Sequence, residues 1–143
     1  MKSRFAILLG SLLVAISAGA SDAGQTLELS LVGIQHARGA IRVGLYSDPA
    51  SFRKEASAHM VKQVAAEPGT VVVRFEALPP GRYAIMAYHD EDGNGEMNRR
   101  LGMFPTEGYG LSNNPAVIGP PAFDDSAFEV RDTPVALHID VRY

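Results

Sequence analysis

Residues 135–142 read Val-Ala-Leu-His-Ile-Asp-Val-Arg, and this stretch decides the fold class. Apolar side chains occupy every second position from Val135 to Val141, and small or polar residues lie between them. Because successive side chains of a β-strand point to opposite faces of a sheet, the alternation predicts a strand with one buried face. An amphipathic helix would instead repeat its apolar positions every three or four residues.

The same alternation recurs upstream in residues 27–31, 41–45, 71–76 and 83–87. Gly33 or Gly39 predicts a turn that makes a hairpin of the first two strands, and Pro80-Gly81 predicts another turn before Tyr83. Residues 59–66 and 126–131 are weaker strand candidates. Seven strands without βαβ alternation predict an all-β sandwich.

Two connecting segments lack the alternation that predicts a strand. Asp48 is a candidate cap for one or two helical turns, with Pro49 at the first helical position. The stretch from His89 to Asp125 has little periodicity, and a loop of this length in a compact domain is either functional or disordered. Its aromatic residues favour an ordered loop packed on the sheet; they are Phe104, Tyr109 and Phe123.

The N-terminus has the pattern of a secretory signal. Lys2 and Arg4 precede an apolar run, and Ala18-Gly19-Ala20 follows it as a cleavage site. The apolar run is shorter than the roughly 20 residues that cross a bilayer, so we expect no stable membrane anchor after cleavage. Residues 1–20 are therefore predicted to be a signal peptide and residues 21–143 a single domain, periplasmic or secreted.

The composition of the exported part limits its partners. Loss of Lys2 and Arg4 leaves 11 basic against 16 acidic residues, a net charge of −5, and this argues against nucleic acid or an anionic membrane. The chain has no cysteine, so packing, backbone pairing or a metal must stabilise it. The expected partner is an extracytoplasmic ligand or protein that the sequence does not identify.

An acidic, glycine-rich segment is the clearest candidate site. Residues 90–98 read Asp-Glu-Asp-Gly-Asn-Gly-Glu-Met-Asn, with an oxygen-bearing side chain at every second position and a glycine for the sharp turn. Calcium loops use this spacing, because calcium is a hard cation that binds six to eight oxygens. The predicted ligands are Asp90, Asp92, Asn94, the carbonyl of Glu96, and Asn98.

Two alternatives stay open for this segment. A helix-loop-helix calcium site needs a bidentate glutamate where this chain has Leu101, so a true EF-hand is rejected. Glu107, or Asp124 and Asp125, could fold back to supply the missing carboxylate. A metal-free turn uses the same residues, with side chains accepting backbone N–H bonds and glycines at positive φ.

The chain resembles a bacterial exported family catalogued as domain of unknown function 2141. The resemblance rests on residues 87–95 (AYHDEDGNG), 102–114 (GMFPTEGYGLSNN) and 119–123 (GPPAF), with Ala127 and Phe128. It implies an immunoglobulin-like or prealbumin-like sandwich and brings no established activity or catalytic residues. Residues 75–83 are also similar to the strand-turn-strand pattern of transthyretin-like modules.

The remaining polar residues give no clear catalytic set. The four histidines lie on separate elements without zinc-ligand spacing. A triad of Ser112, His89 and a loop aspartate is the best that can be assembled, and it lacks a nucleophile elbow. We therefore predict a non-enzymatic binding or accessory module, with a hydrolase of extracellular carbohydrate or peptide as the alternative. Its predicted ligand surface comprises His89, Glu107, Tyr109 and Asn113.

Overall fold

The computed structural model describes residues 23–143, which form an all-β structure. The strands are β1 (Gln25–Ile34), β2 (Ala40–Tyr46), β3 (Met60–Ala65), β4 (Gly69–Leu78), β5 (Gly81–Asp90), β6 (Arg99–Arg100), β7 (Phe104–Pro105), β8 (Tyr109–Leu111), β9 (Phe128–Val130) and β10 (Val135–Asp140). Helical turns cover Pro49–Ser51, Glu55–Ser57 and α1 (Phe123–Ser126). The predicted signal peptide, residues 1–20, lies outside the described residues. Within them, no helix has the length and apolarity to cross a membrane.

The main strands form two sheets. In the first, β1 pairs in parallel with β10 and antiparallel with β4. In the second, β2 lies between β3 and β5, and the far edge of β5 is shared by β9 at its start and β8 near its end. The strands β6 and β7 pair only with each other. The all-β prediction is confirmed.

One hydrophobic core lies between the two sheets. Leu27, Leu29 and Leu31 of β1 have no exposed surface, and they belong to the same cluster as Val43 of β2 and Ile85 of β5. Complete burial of each such side chain contributes about 1.5–3 kcal/mol. The alternating pattern therefore indicates which face of each strand packs against this core.

The hairpin predicted for the first two strands is wrong, whereas the turn predicted at Pro80-Gly81 connects β4 to β5. β1 and β2 lie in different sheets, and so do β4 and β5, so each connection crosses the core instead of joining neighbouring strands. At the second crossing the Tyr83 hydroxyl donates to the Pro79 carbonyl over 2.8 Å, which fixes the turn. Alternation identifies a strand's buried face but not its neighbour, because strands facing each other across a core show the same pattern as paired strands.

Several local predictions are confirmed. Asp48 caps the first helical turn, where its carboxylate accepts the Ala50 N–H over 2.9 Å. The two weak strand candidates are β3 and β9. The long segment after His89 is ordered by β8 and α1, and Phe123 is buried. Phe104 is 58% exposed, so its predicted packing on the sheet is wrong.

A second, smaller cluster covers the outer face of the second sheet. It contains Tyr46, Ala84, Met86, Phe52 and Phe123, which come from two strands, the 49–58 connection and α1. As a result, β5 is buried on both faces from Tyr83 to Asp90. The acidic loop therefore starts from a strand end that is covered on both faces.

Candidate metal site in the acidic loop

Strand β5 delivers Asp90 to the start of the acidic loop. Asp90 is opposite Ala40 in the register of β2 and β5, and it is 2% exposed. Its two carboxylate oxygens accept the backbone N–H groups of Asn94, at 3.1 Å, and Gly95, at 2.9 Å. The loop therefore curls around a buried carboxylate rather than extending from the sheet.

The next two alternate residues continue the curl. Asp92 accepts the backbone N–H of Asn94 at 3.1 Å, and the Asn94 side-chain oxygen accepts the Glu96 N–H at 2.8 Å. Gly93 and Gly95 have φ of 72° and 80°, which is the left-handed region that glycine enters without steric cost. These are the bonds and angles of the metal-free turn, and calcium loops curl in the same way.

Asn98 closes the turn by bonding back to its start. Its side-chain amide donates to Asp92 over 2.7 Å, and its oxygen accepts from the Asn94 amide over 2.6 Å. The Asn98 amide, followed by the Asn94 backbone N–H, lowers the pKa of the Asp92 carboxyl below its usual value. Asp92 is thus held as a carboxylate at neutral pH, although its side chain is exposed to solvent.

Glu107, from outside the acidic loop, brings a further carboxylate to it, whereas the loop itself has Leu101 where an EF-hand has a glutamate. The ribbon of β6 and β7 turns the chain back, and the Thr106 N–H donates to the Asn98 carbonyl over 2.9 Å. Glu107 then accepts the Glu91 N–H at 2.9 Å and the Asn98 N–H at 3.0 Å, so it bridges the two ends of the loop. Leu101 is at the tip of the ribbon and is 76% exposed, turned away from the site.

Three carboxylates consequently converge. Oxygens of Asp90, Asp92 and Glu107 all lie within 4.8 Å of one another, and Asp90 and Glu107 are almost completely buried. None of the three forms an ion pair within residues 23–143, and neither do Arg99 and Arg100 beside the loop. Buried carboxylates this close repel each other, and a bound cation removes that repulsion.

The other two acids considered for this role are engaged elsewhere. Asp124 pairs with Arg82 over 2.7 Å, and Asp125 accepts the Ala122 N–H at the start of α1 over 2.9 Å. Among the predicted ligands, the Glu96 side chain is exposed at the rim. The structure thus brings together the predicted Asp90, Asp92, Asn94 and Asn98, with Glu107 as the returning acid.

The candidate catalytic triad is not assembled. Ser112 has no exposed surface; its hydroxyl accepts the Ile85 N–H over 2.8 Å and also bonds to the Ser126 carbonyl. His89 is likewise fully buried, with Nε2 2.6 Å from the Arg38 carbonyl and Nδ1 2.6 Å from the Tyr143 hydroxyl. Because a carbonyl only accepts, Nε2 carries a proton that it donates. Both side chains therefore link separate segments of the fold through hydrogen bonds.

A second group of potential metal ligands lies beside the first and was missed from the sequence. The rings of His36 and His89 have their centroids 4.5 Å apart, and His36 Nε2 is 2.9 Å from a carboxylate oxygen of Glu91. Oxygen or nitrogen atoms of these three residues fall within 4.8 Å of one another. Their separation along the chain gave no motif, because the β1–β2 connection alone brings His36 here.

The predicted ligand surface is divided by the structure. His89 and Glu107 are buried beneath the loop, whereas Tyr109 is half-buried and pairs with Tyr88 and Arg142. Asn113 is exposed, and its amide donates to the Ala127 carbonyl over 2.8 Å. Of the four residues, only Tyr109 and Asn113 retain surface that a partner could contact.

The site lies within a recognised family pattern. The family model described as "uncharacterized protein conserved in bacteria (DUF2141)" matches residues 29–138, which include every residue of the acidic loop and Glu107. No curated protein and no solved structure matches the chain. The matched range starts within β1 and ends within β10, so it spans both sheets.

Proposed function

Because the chain belongs to the bacterial protein family DUF2141, whose description names no activity, we propose a function from its own geometry. The protein is an exported, non-enzymatic binding or accessory module that holds one calcium ion in the acidic loop. The observation that carries this proposal is the convergence of Asp90, Asp92 and Glu107 within 4.8 Å, with no ion pair to any of the three among residues 23–143. Export is supported by the pattern of residues 1–20.

Calcium fits the donor set better than a softer or smaller ion does. All the converging atoms are oxygens, which favours calcium, magnesium or manganese over zinc or copper. The carboxylates come from the end of β5, the turn that follows it and the connection between β7 and β8. Calcium tolerates such irregular geometry, whereas magnesium demands a near-ideal octahedron. Asn94 and Asn98 add two amide oxygens, and water would complete a shell of six to eight ligands.

The absence of enzymatic activity is supported by the positions of the two best nucleophilic-catalysis candidates. Ser112 and His89 are both fully buried and bonded to other groups. A nucleophile must reach substrate and lie within hydrogen-bond distance of its base. The carboxylates of the loop, by contrast, are arranged around one centre, which favours holding an ion.

The finer fold assignment is part of the same proposal. We propose that the two sheets form an immunoglobulin-like or transthyretin-like sandwich, because they share one core and consecutive strands cross between them. In such a scaffold, loops at the end of the sheets carry the binding function while the sheets stay rigid.

Calorimetric titration of the purified protein with calcium tests the site. We expect one ion per chain with a dissociation constant of about 10⁻⁴–10⁻³ M, the range of extracellular calcium modules. Asp92→Asn should weaken binding by about tenfold or more, since affinity follows the ligand charge. Asp132→Asn removes the same charge from an exposed turn outside the site and should leave binding unchanged. Absence of binding, or equal effects of the two substitutions, would contradict the proposal.

A further inference from the structure

A cavity of about 220 Å³ lies beside the acidic loop, on the outer face of the second sheet. Its lining includes Tyr46, Met86 and Tyr88 from the sheet, Arg53 from the 49–58 connection, and Met97 and Arg99 from the acidic segment. The volume is below the roughly 300–1,000 Å³ of a drug-sized pocket, so the cavity suits a small molecule or one end of a longer one.

The walls of the cavity combine apolar side chains of the second hydrophobic cluster with polar and charged ones. Tyr46 and Met86 belong to the second hydrophobic cluster, and Met97 packs against it. The Tyr88 hydroxyl lies 3.1 Å from both a Glu55 carboxylate oxygen and the Gly95 carbonyl, so it ties the wall to the acidic loop. Aromatic and thioether side chains of this kind bind the apolar body of a ligand.

One polar group in the wall lacks a partner. Tyr46 is 2% exposed and lines the cavity, and its hydroxyl forms no hydrogen bond within residues 23–143. Burial, followed by the charge of Glu55, raises the pKa of Tyr46 to about 12. The hydroxyl therefore keeps its proton at neutral pH and has a donor to offer to a ligand.

The charges around the cavity point to an anion. Neither Arg53 nor Arg99 forms an ion pair in the part of the chain that the structure describes. Glu55 is already engaged, because Arg42 Nε lies 3.1 Å from its carboxylate and Tyr88 bonds to it as well. Among the described residues that line the cavity, two arginines without an ion pair thus outnumber the single unpaired acid, Glu96. Guanidinium groups recognise carboxylates through paired, charge-assisted hydrogen bonds.

We propose that this cavity binds a small organic carboxylate, with its apolar body against Tyr46, Tyr88 and Met97 and its charged end at Arg53 and Arg99. The Tyr46 hydroxyl donates to one carboxylate oxygen. This inference names the ligand class of the binding module proposed above, and so it rests on that function. Gly95 links the two sites, since its N–H donates to Asp90 and its carbonyl is beside the Tyr88 hydroxyl.

Titrations of the ¹⁵N-labelled protein followed by NMR test the proposal, with 3-phenylpropionate and hexanoate as probes. Each has a neutral counterpart of the same body, 3-phenylpropanol and hexanol. We expect at least one carboxylate to shift the amide signals of residues lining the cavity and to bind about tenfold or more tightly than its alcohol, because only the anion gains charge-assisted bonds. Arg99→Gln should remove most of that difference.

Matched variants separate a binding role from a structural one. Tyr46→Phe keeps the buried ring and should weaken carboxylate binding several-fold while leaving alcohol binding unchanged. Arg131→Gln alters an arginine outside the cavity and should have no effect. The proposal is overturned if neither carboxylate binds, if acid and alcohol bind equally, or if the shifted signals lie away from the cavity.

The titrations are run in calcium and in chelator so that the two sites are judged separately. Carboxylate binding without a calcium response would leave the cavity standing and refute the calcium site. A calcium response without carboxylate binding would support the calcium site and refute the proposed carboxylate site in the cavity.

Discussion

Gly39→Ala should lower the free energy of unfolding by about 2–5 kcal/mol, which combines a left-handed backbone penalty with steric overlap. Gly39 has a φ of 68°, and a Cβ atom there would lie 1.8 Å from the carbonyl oxygen of Asp90. That carbonyl belongs to the strand end that begins the acidic loop, so it cannot move without disturbing the site. Urea denaturation followed by fluorescence or circular dichroism measures the change.

Gly102→Ala is the matched control for this effect. Gly102 has a φ of 69°, nearly the same conformation, but a Cβ atom there would have nothing within 4 Å. It should therefore show only the left-handed backbone penalty of about 1–2 kcal/mol. If the two substitutions destabilise the protein equally, the close approach of Gly39 to Asp90 is not present in solution.

Glu107→Gln should lower the free energy of unfolding by about 3–5 kcal/mol in 10 mM calcium, through a mismatched hydrogen bond and a lost ion. Both carboxylate oxygens of Glu107 accept backbone N–H groups, so a glutamine amide must point its own NH₂ at a donor in either orientation. In chelator the loss should be smaller, because removal of one charge also relieves repulsion from Asp90 and Asp92.

The control for Glu107 is Glu96→Gln. This substitution changes charge by the same amount at an exposed position of the same loop, and it should alter stability by less than about 0.5 kcal/mol. An equally small effect for Glu107→Gln would mean that this side chain does not fasten the two ends of the loop.

The sequence predicts the strands well because burial of one face leaves a period of two in the residues. It does not predict which strands pair. Leu31 and Ile41 were assigned to one hairpin, yet they lie in different sheets that meet across the core. The residues of such a connection do not indicate whether the next strand pairs with the previous one or crosses to the other sheet. The same turn residues serve both geometries.

In the candidate site, too, the sequence predicts residues that are neighbours along the chain better than residues that only the fold brings together. The spacing of Asp90, Asp92 and Asn94 could be recognised because these residues are neighbours along the chain. Glu107 could be named only as one of several acids able to fold back, since its place depends on the turn of β6 into β7. His36 was not recognised because it lies in the β1–β2 connection, whose path brings it to His89 of β5 from a distant part of the chain.

The cavity beside Tyr46 was also missed, although a signal was present. Strand β5 is apolar on both faces, with Ala84, Met86 and Tyr88 alternating with Tyr83, Ile85 and Ala87. A strand that reads apolar on both sides predicts a cover on its outer face as well. The helical turns and the acidic segment form this cover, and the cavity is the space that they leave.

Thermal unfolding in 10 mM calcium and in chelator, with magnesium at the same concentration as control, tests the calcium site most directly. A site with a dissociation constant near 0.1 mM stabilises the folded state by about 2.7 kcal/mol at a hundredfold excess of ion. For a domain of this size, that corresponds to a rise in the midpoint of about 10 °C. We expect such a rise with calcium, a smaller one with magnesium, and little change in Asp92→Asn. Equal midpoints in calcium and chelator for the unmodified protein would contradict the account.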